Sequence, residues 1–83
     1  MVLSPRSYHE ATELVVVCPI TSNIAPYPFK VILPDGGPVS GAILVDQVRC
    51  LDRNARHIVF IGRGPEEVLL QVQAKLAALL GMT

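Results

Sequence analysis

The sequence predicts a mainly β, α+β domain: an SH3-like small β-barrel or curled antiparallel sheet carrying one C-terminal amphipathic helix. Three observations predict it. Short β-branched runs are separated by Gly- and Pro-rich turns, the apolar period becomes helical from Pro65, and 83 residues leave room for a single domain.

Val2 and Leu3 read as the end of a strand, punctuated by Ser4-Pro5 because proline brings no amide hydrogen to a ladder. Residues 13–20, Glu-Leu-Val-Val-Val-Cys-Pro-Ile, are apolar on both faces, which predicts one strand buried on both sides. Turn formers fill residues 21–26, and residues 27–33 then alternate as a second strand, with Tyr, Phe, Val and Leu set against Pro, Lys and Ile. Pro34-Asp35-Gly36-Gly37 reverses the chain, since proline presets φ and glycine accepts positive φ. Residues 40–51 predict one long strand with Ala42, Leu44 and Asp46 on one face and Ile43, Val45 and Gln47 on the other, buried over residues 42–45. A polar connection follows over residues 52–56, then a short strand over residues 57–61 ended by Gly62-Arg63-Gly64. Beyond Pro65, Leu69, Val72, Leu76, Leu79 and Leu80 recur at helical spacing. Pro65 suits a first helical turn, Glu66 and Glu67 complement the positive end of the dipole, and Gly81 suits a left-handed cap.

Composition narrows the class. The chain is 51% hydrophobic and 17% charged, with a mean hydropathy of +0.46, which is too apolar for disorder and oily for a small monomer. We read the excess as an interface between two copies, a homodimer that makes up for the small core. Apolar runs such as residues 14–19 and 42–45 fall far short of the roughly 20 residues of a membrane span, so no membrane association is expected. No apolar leader core opens the chain, which predicts a cytoplasmic protein, and there Cys18 and Cys50 read as small buried hydrophobes rather than a bridge. Seven basic residues balance seven acidic ones, so any nucleic-acid binding is local rather than steered by a global field.

Metal chemistry finds no support: His9 and His57 stand in unrelated contexts and the cysteines lack CxxC spacing, so neither metal nor cofactor is expected. The glycine pairs lack the P-loop lysine. Pro19-Ile20-Thr21-Ser22 is more informative, because hydroxyls at the end of a buried strand either cap a turn or hold a phosphate oxygen as its charge grows. Tyr27, at a loop edge, has two readings as well: part of the core, or a platform for an unpaired base. Arg49, Arg53 and Arg56 surround the polar connection as phosphate ligands or as a solvated turn. Asp46-Gln47 offers base-edge hydrogen bonds or marks the barrel rim.

In order along the chain, Val2-Leu3-Ser4-Pro5, Val17-Cys18-Pro19-Ile20-Thr21-Ser22, Tyr27-Pro28-Phe29 and Gly41-Ala42-Ile43-Leu44-Val45-Asp46-Gln47-Val48-Arg49 resemble the MazF/PemK toxins. The resemblance continues through Leu51-Asp52, Ala55-Arg56, Phe60-Ile61-Gly62 and the final helix to Leu80-Gly81. It implies a dimeric SH3-like barrel that cuts single-stranded mRNA at short sequences without a metal and is silenced by a cognate antitoxin. In that family the ribose 2′-hydroxyl attacks the adjacent phosphate and leaves a 2′,3′-cyclic phosphate. The resemblance carries the catalytic threonine to Thr21, with Ser22 beside it, and implies RNA contacts from Pro19, Tyr27, Gln47, Arg49 and Arg56. Two departures bear on activity. Family members carry roughly two strands' worth of chain ahead of the position of Val2, including an Arg-Pro pair whose arginine moves the proton. Arg53 stands where the family often has a tryptophan. The expectation is one domain over residues 1–83 that lacks the N-terminal part and its first strand, and therefore a weak or inactive nuclease. Two other classes compete with the nuclease: a non-catalytic dimerising module that binds antitoxin or RNA, and a topoisomerase-inhibiting toxin on a related barrel.

Overall fold

The computed structural model describes residues 1–52 and 65–82. Its elements are α1 (Arg6–Thr12), β1 (Leu14–Val17), β2 (Ile20–Thr21), β3 (Lys30–Ile32), β4 (Ala42–Leu44), a 3-10 turn (Val45–Gln47), β5 (Arg49–Asp52) and α2 (Glu66–Leu79). The strand expected at residues 57–61, Arg53 and Arg56 lie outside the described residues.

Val2 and Leu3 run antiparallel to β1, as expected for a strand end. Val2 bridges Val17, the Leu3 amide donates to Val16 O at 2.8 Å, and the Cys18 amide donates to Met1 O at 2.8 Å. Where the ladder stops, the Ser4 hydroxyl takes over and accepts the Val16 amide at 2.9 Å. The chain then turns into α1, to which the sequence reading assigned no element. Seven residues without an apolar stripe give little periodic signal. The helix ends at Glu13, whose φ of 60° closes it, while the Thr12 hydroxyl accepts the Leu14 amide at 3.1 Å. Its buried His9 is paired with the Ser4 hydroxyl at 2.7 Å.

Two of the expected strands are each broken into two, and the two breaks meet. Residues 13–20 do not form one strand: β1 stops at Val17 and β2 starts at Ile20, because Pro19 cannot donate to a ladder. Residues 40–51 break in the same way at the Val45–Gln47 turn. As a result β1 pairs with β5 and β2 pairs with β4, both antiparallel, with β3 on the other side of β4. Both chains turn the corner between the two sheets side by side, and the Cys18 thiol reaches Val45 O at 3.9 Å across it. The curled antiparallel form of the expected fold holds, and among the described residues the sheets do not close into a barrel.

The strand expected over residues 27–33 is shorter, since a turn at residues 28–29 closes with the Lys30 amide on Tyr27 O at 3.0 Å. The core gathers on the inner side of the corner: Cys18, Val31, Ile43, Val45, Val68 and Val72 are buried, with Leu3, Phe29 and Leu76 packed around them. Helix α2 rests on the Val45–Gln47 turn and on β3 through Val68 and Val72. Of the expected stripe, Val72 is buried, Leu76 packs on the core and Leu69 is half-buried, while Val68 joins the face unforeseen. Leu79 and Leu80 are exposed, Leu80 by 62%, because the last turn runs on beyond the sheet. The end of the helix is as expected: Gly81 has φ of 73°, the Met82 amide reaches Ala77 O at 2.8 Å and the Gly81 amide reaches Ala78 O at 3.1 Å. Both cysteines are free; Cys18 is buried as expected, but Cys50, on β5, is exposed. No described helix is long and apolar enough to cross a membrane.

Candidate functional site

Beside the corner, the chain leaves β2 at Thr21 and crosses residues 22–29 to β3 with little regular structure. Such a stretch must satisfy its backbone groups by other means. Thr21 Oγ1 accepts the Asn23 amide at 3.2 Å, and Asn23 Oδ1 accepts the Ala25 amide at 2.9 Å, two local side-chain turns in succession. The Lys30 ammonium then reaches back from β3 and donates to Asn23 O at 2.9 Å and Ala25 O at 3.1 Å. At the far end of the segment, Lys75 of α2 donates to Pro28 O at 2.7 Å.

Thr21 itself is fixed from the other side. It pairs with Ala42, and Gly41 presses so close to it that a Cβ on that glycine would lie 2.3 Å from Thr21 O. Gly41 also has φ of 119°, so only glycine fits there without strain. The hydroxyl-bearing corner is therefore set by the sheet, while its exit is set by the loop.

Loop and sheet together bound an open groove of about 300 Å³ lined by Ala25, Pro26, Tyr27, Lys30, Leu44, Asp46 and Gln47. Tyr27 donates to Asp46 Oδ2 at 2.6 Å and tilts against Phe29, with ring centroids 6.2 Å apart. Its hydroxyl is tied, yet the residue remains 47% exposed. The bond to Asp46, then that carboxylate's charge, then slight desolvation hold the Tyr27 phenol above the usual tyrosine value. The other oxygen, Asp46 Oδ1, is buried and has no hydrogen-bond partner among the described residues. Burial also raises the nearby Cys18 thiol, an effect the N-terminal ammonium opposes and Asp46 reinforces.

Of the residues singled out in the sequence, Tyr27 and Gln47 line this groove. Thr21, half-buried, and Ser22, exposed, are not among its lining residues; they precede Ala25, Pro26 and Tyr27, which are. Pro19 lies at the corner, where its carbonyl accepts the Leu44 amide at 2.9 Å. Arg49 is exposed on β5 opposite Val17, apart from the groove lining, and Arg56 lies outside the described residues. Lys30 was missed. It read only as the polar member of an alternating strand, and nothing in its neighbours along the chain announces a bond back to residues 23 and 25. Among the described residues no group of three or more His, Cys, Asp or Glu side chains is placed to hold a metal.

Comparison with known proteins gives this arrangement a family. A profile described as "PemK-like, MazF-like toxin of type II toxin-antitoxin system" matches residues 1–80. The endoribonuclease toxin MazF of Escherichia coli (strain K12) is 35% identical over 81 residues, covering 98% of this chain and 72% of the relative. In the MazE-MazF structure (Form-III) from Deinococcus radiodurans, the matching chain superposes with a TM-score of 0.96 at 43% identity, covering all of this chain (100%) and 84% of the other. MazF (Form-I) from the same organism gives 0.94 at 44% identity, covering 99% of this chain and 74% of its own. The chain belongs to the PemK-like, MazF-like toxin family of type II toxin-antitoxin systems.

Proposed function

We propose that this chain is the toxin of a type II toxin-antitoxin pair, a sequence-specific endoribonuclease that cuts single-stranded mRNA without a metal and leaves a 2′,3′-cyclic phosphate. The observation that carries the reading is family membership along residues 1–80; the hydroxyls of Thr21 and Ser22 open the chain segment whose Ala25, Pro26 and Tyr27 line the groove. The partners that follow are single-stranded RNA, a cognate antitoxin and a second copy of the chain, and the setting that follows is the cytoplasm.

The chemistry assigned to the corner is electrostatic. When a ribose 2′-hydroxyl attacks the neighbouring phosphorus, negative charge builds on the non-bridging oxygens, and donors already in place stabilise it without reorganising. Thr21 Oγ1 spends a lone pair on the Asn23 amide and so keeps its proton for such an oxygen. Ser22, exposed one residue on, offers a second hydroxyl. Tyr27 serves as a stacking platform for an unpaired base, Gln47 offers both amide donor and acceptor to a base edge, and Pro19, Arg49 and Arg56 remain RNA contacts by family resemblance. The lysine of the described groove lining is committed to two carbonyls, which makes it a poor proton donor to a substrate.

Incubation of the purified chain with single-stranded RNA in excess chelator tests the reading, first as it stands and then joined to a segment bearing the family's Arg-Pro pair. Cuts at a recurring short sequence with cyclic-phosphate ends, faster in the second case, are the expected result. Intact RNA in both cases would remove the nuclease assignment.

A further inference from the structure

We propose that Lys30 is a positioning residue: by holding the carbonyls of Asn23 and Ala25, its ammonium locks the exit loop in the conformation that orients the Thr21 hydroxyl. The catalytic half of this inference rests on the RNA-cleaving reading above. The mechanical half does not.

The local turns at Thr21 and Asn23 each span two residues, so they give the loop a shape but tie it to nothing else. Residues 22–28 are exposed, and water competes for every one of those bonds. Lys30 is anchored differently. Its backbone pairs with Leu44 in the sheet and its amide is bonded to Tyr27 O, so the side chain starts from a fixed point. From there it makes two charge-assisted bonds, to residues seven and five positions back. The path to the hydroxyl is short: sheet, Lys30 ammonium, Asn23 peptide, Asn23 amide, Thr21 Oγ1. Asn23 O and the Asn23 amide hydrogen belong to the two peptides that flank one Cα, so release of the oxygen frees residue 23 to turn about that Cα, and the amide that orients Thr21 loses its aim.

A plain phosphate-binding role fits less well. Two of the three ammonium protons already serve carbonyls, and an arriving phosphate would have to compete with both. Loss of a phosphate ligand raises the concentration needed for half-saturation, whereas loss of a positioning group lowers the rate of the bound complex.

The experiment compares the unaltered chain with Lys30→Met and Lys30→Arg by two readouts. In amide hydrogen exchange, Lys30→Met should speed the Asn23 and Ala25 amides about tenfold while Val31 and Ile43 in the sheet change less than about twofold. Lys30→Arg, whose guanidinium fork also donates to two carbonyls, should restore most of the protection. In single-turnover RNA cleavage, Lys30→Met should lower the maximal rate about 10- to 100-fold and shift half-saturation less than about threefold. Unchanged exchange at Asn23 and Ala25, or loss spread evenly over β3 and β4, would overturn the clamp. An unchanged maximal rate with half-saturation raised tenfold or more would overturn the positioning role in favour of phosphate binding. Should the unaltered chain leave RNA uncut even with the Arg-Pro segment, the nuclease reading and the catalytic half fail together, and exchange alone still decides the clamp.

Discussion

The corner where Cys18 meets Val45 and the loop over residues 22–28 are neighbours in the chain, yet they are held by opposite means. The corner is held by burial: Cys18, Ile43 and Val45 have at most 1% of their surface exposed, and the polar contacts there are backbone hydrogen bonds and the Cys18 thiol. The loop is held by polar bonds, several of them from lysines that start on β3 and α2. Burial resists every change of solvent and removal of a single methylene is felt; polar bonds at the surface each contribute little and act mainly on conformation. The fold therefore stands on the first region and the chemistry on the second.

The comparison breaks most visibly at Ile43. Ile43→Ala empties a fully buried position and should cost about 2–5 kcal/mol in urea unfolding, a large part of what a domain this size has. Asn23→Ala in the loop should cost no more than about 1 kcal/mol in the same measurement. Equal costs would mean that the loop belongs to the core after all.

Tyr27 sharpens the comparison, since its ring is open while its hydroxyl is tied to Asp46. Tyr27→Ala should weaken binding of a single-stranded RNA by about 1–3 kcal/mol in a fluorescence titration, the usual worth of one stacked base, with little effect on stability. Unchanged affinity would assign Tyr27 to structure alone.

The smallest effect is in the pH dependence of the same contact. A phenol that donates to a carboxylate is favoured in its neutral form, so its folded value lies above its unfolded one. The stabilisation is fully present below the unfolded value and disappears as pH rises through the folded one. Between pH 7 and about 9 the unaltered chain and Tyr27→Phe should show a constant stability difference, which shrinks above roughly pH 10. Ultraviolet titration should assign the later-titrating share to Tyr27 by its loss in the variant. A Tyr27 that titrates at or below the usual value would remove the contact.

What could be read in the sequence follows the same division. The β-branched runs marked β1 and β4, and Pro65 with Gly81 bracketed α2, because periodicity and caps are written locally. The two breaks at Pro19 and at Val45–Gln47 escaped, although a proline stood at one of them, since the change of partner strand is decided across the sheet. On α2, Val72 and Leu76 were read correctly as facing the core, while the burial of Val68 and the exposure of Leu79 and Leu80 escaped. Cys50 read as core from its neighbours and proved exposed. Around the groove, Tyr27 and Gln47 were singled out by residue type, and both line it. Lys30 was not, for its partners are backbone carbonyls, which every residue has.

The central claim is that the Thr21 hydroxyl acts on an RNA phosphodiester, and Thr21→Ala tests it most directly. Circular dichroism and urea unfolding would first establish that the variant keeps the fold. Under single-turnover conditions the account expects the cleavage rate to fall about 10²- to 10³-fold, the usual loss for one preorganised donor. A folded Thr21→Ala that cuts the same sites within about threefold of the unaltered rate would contradict it.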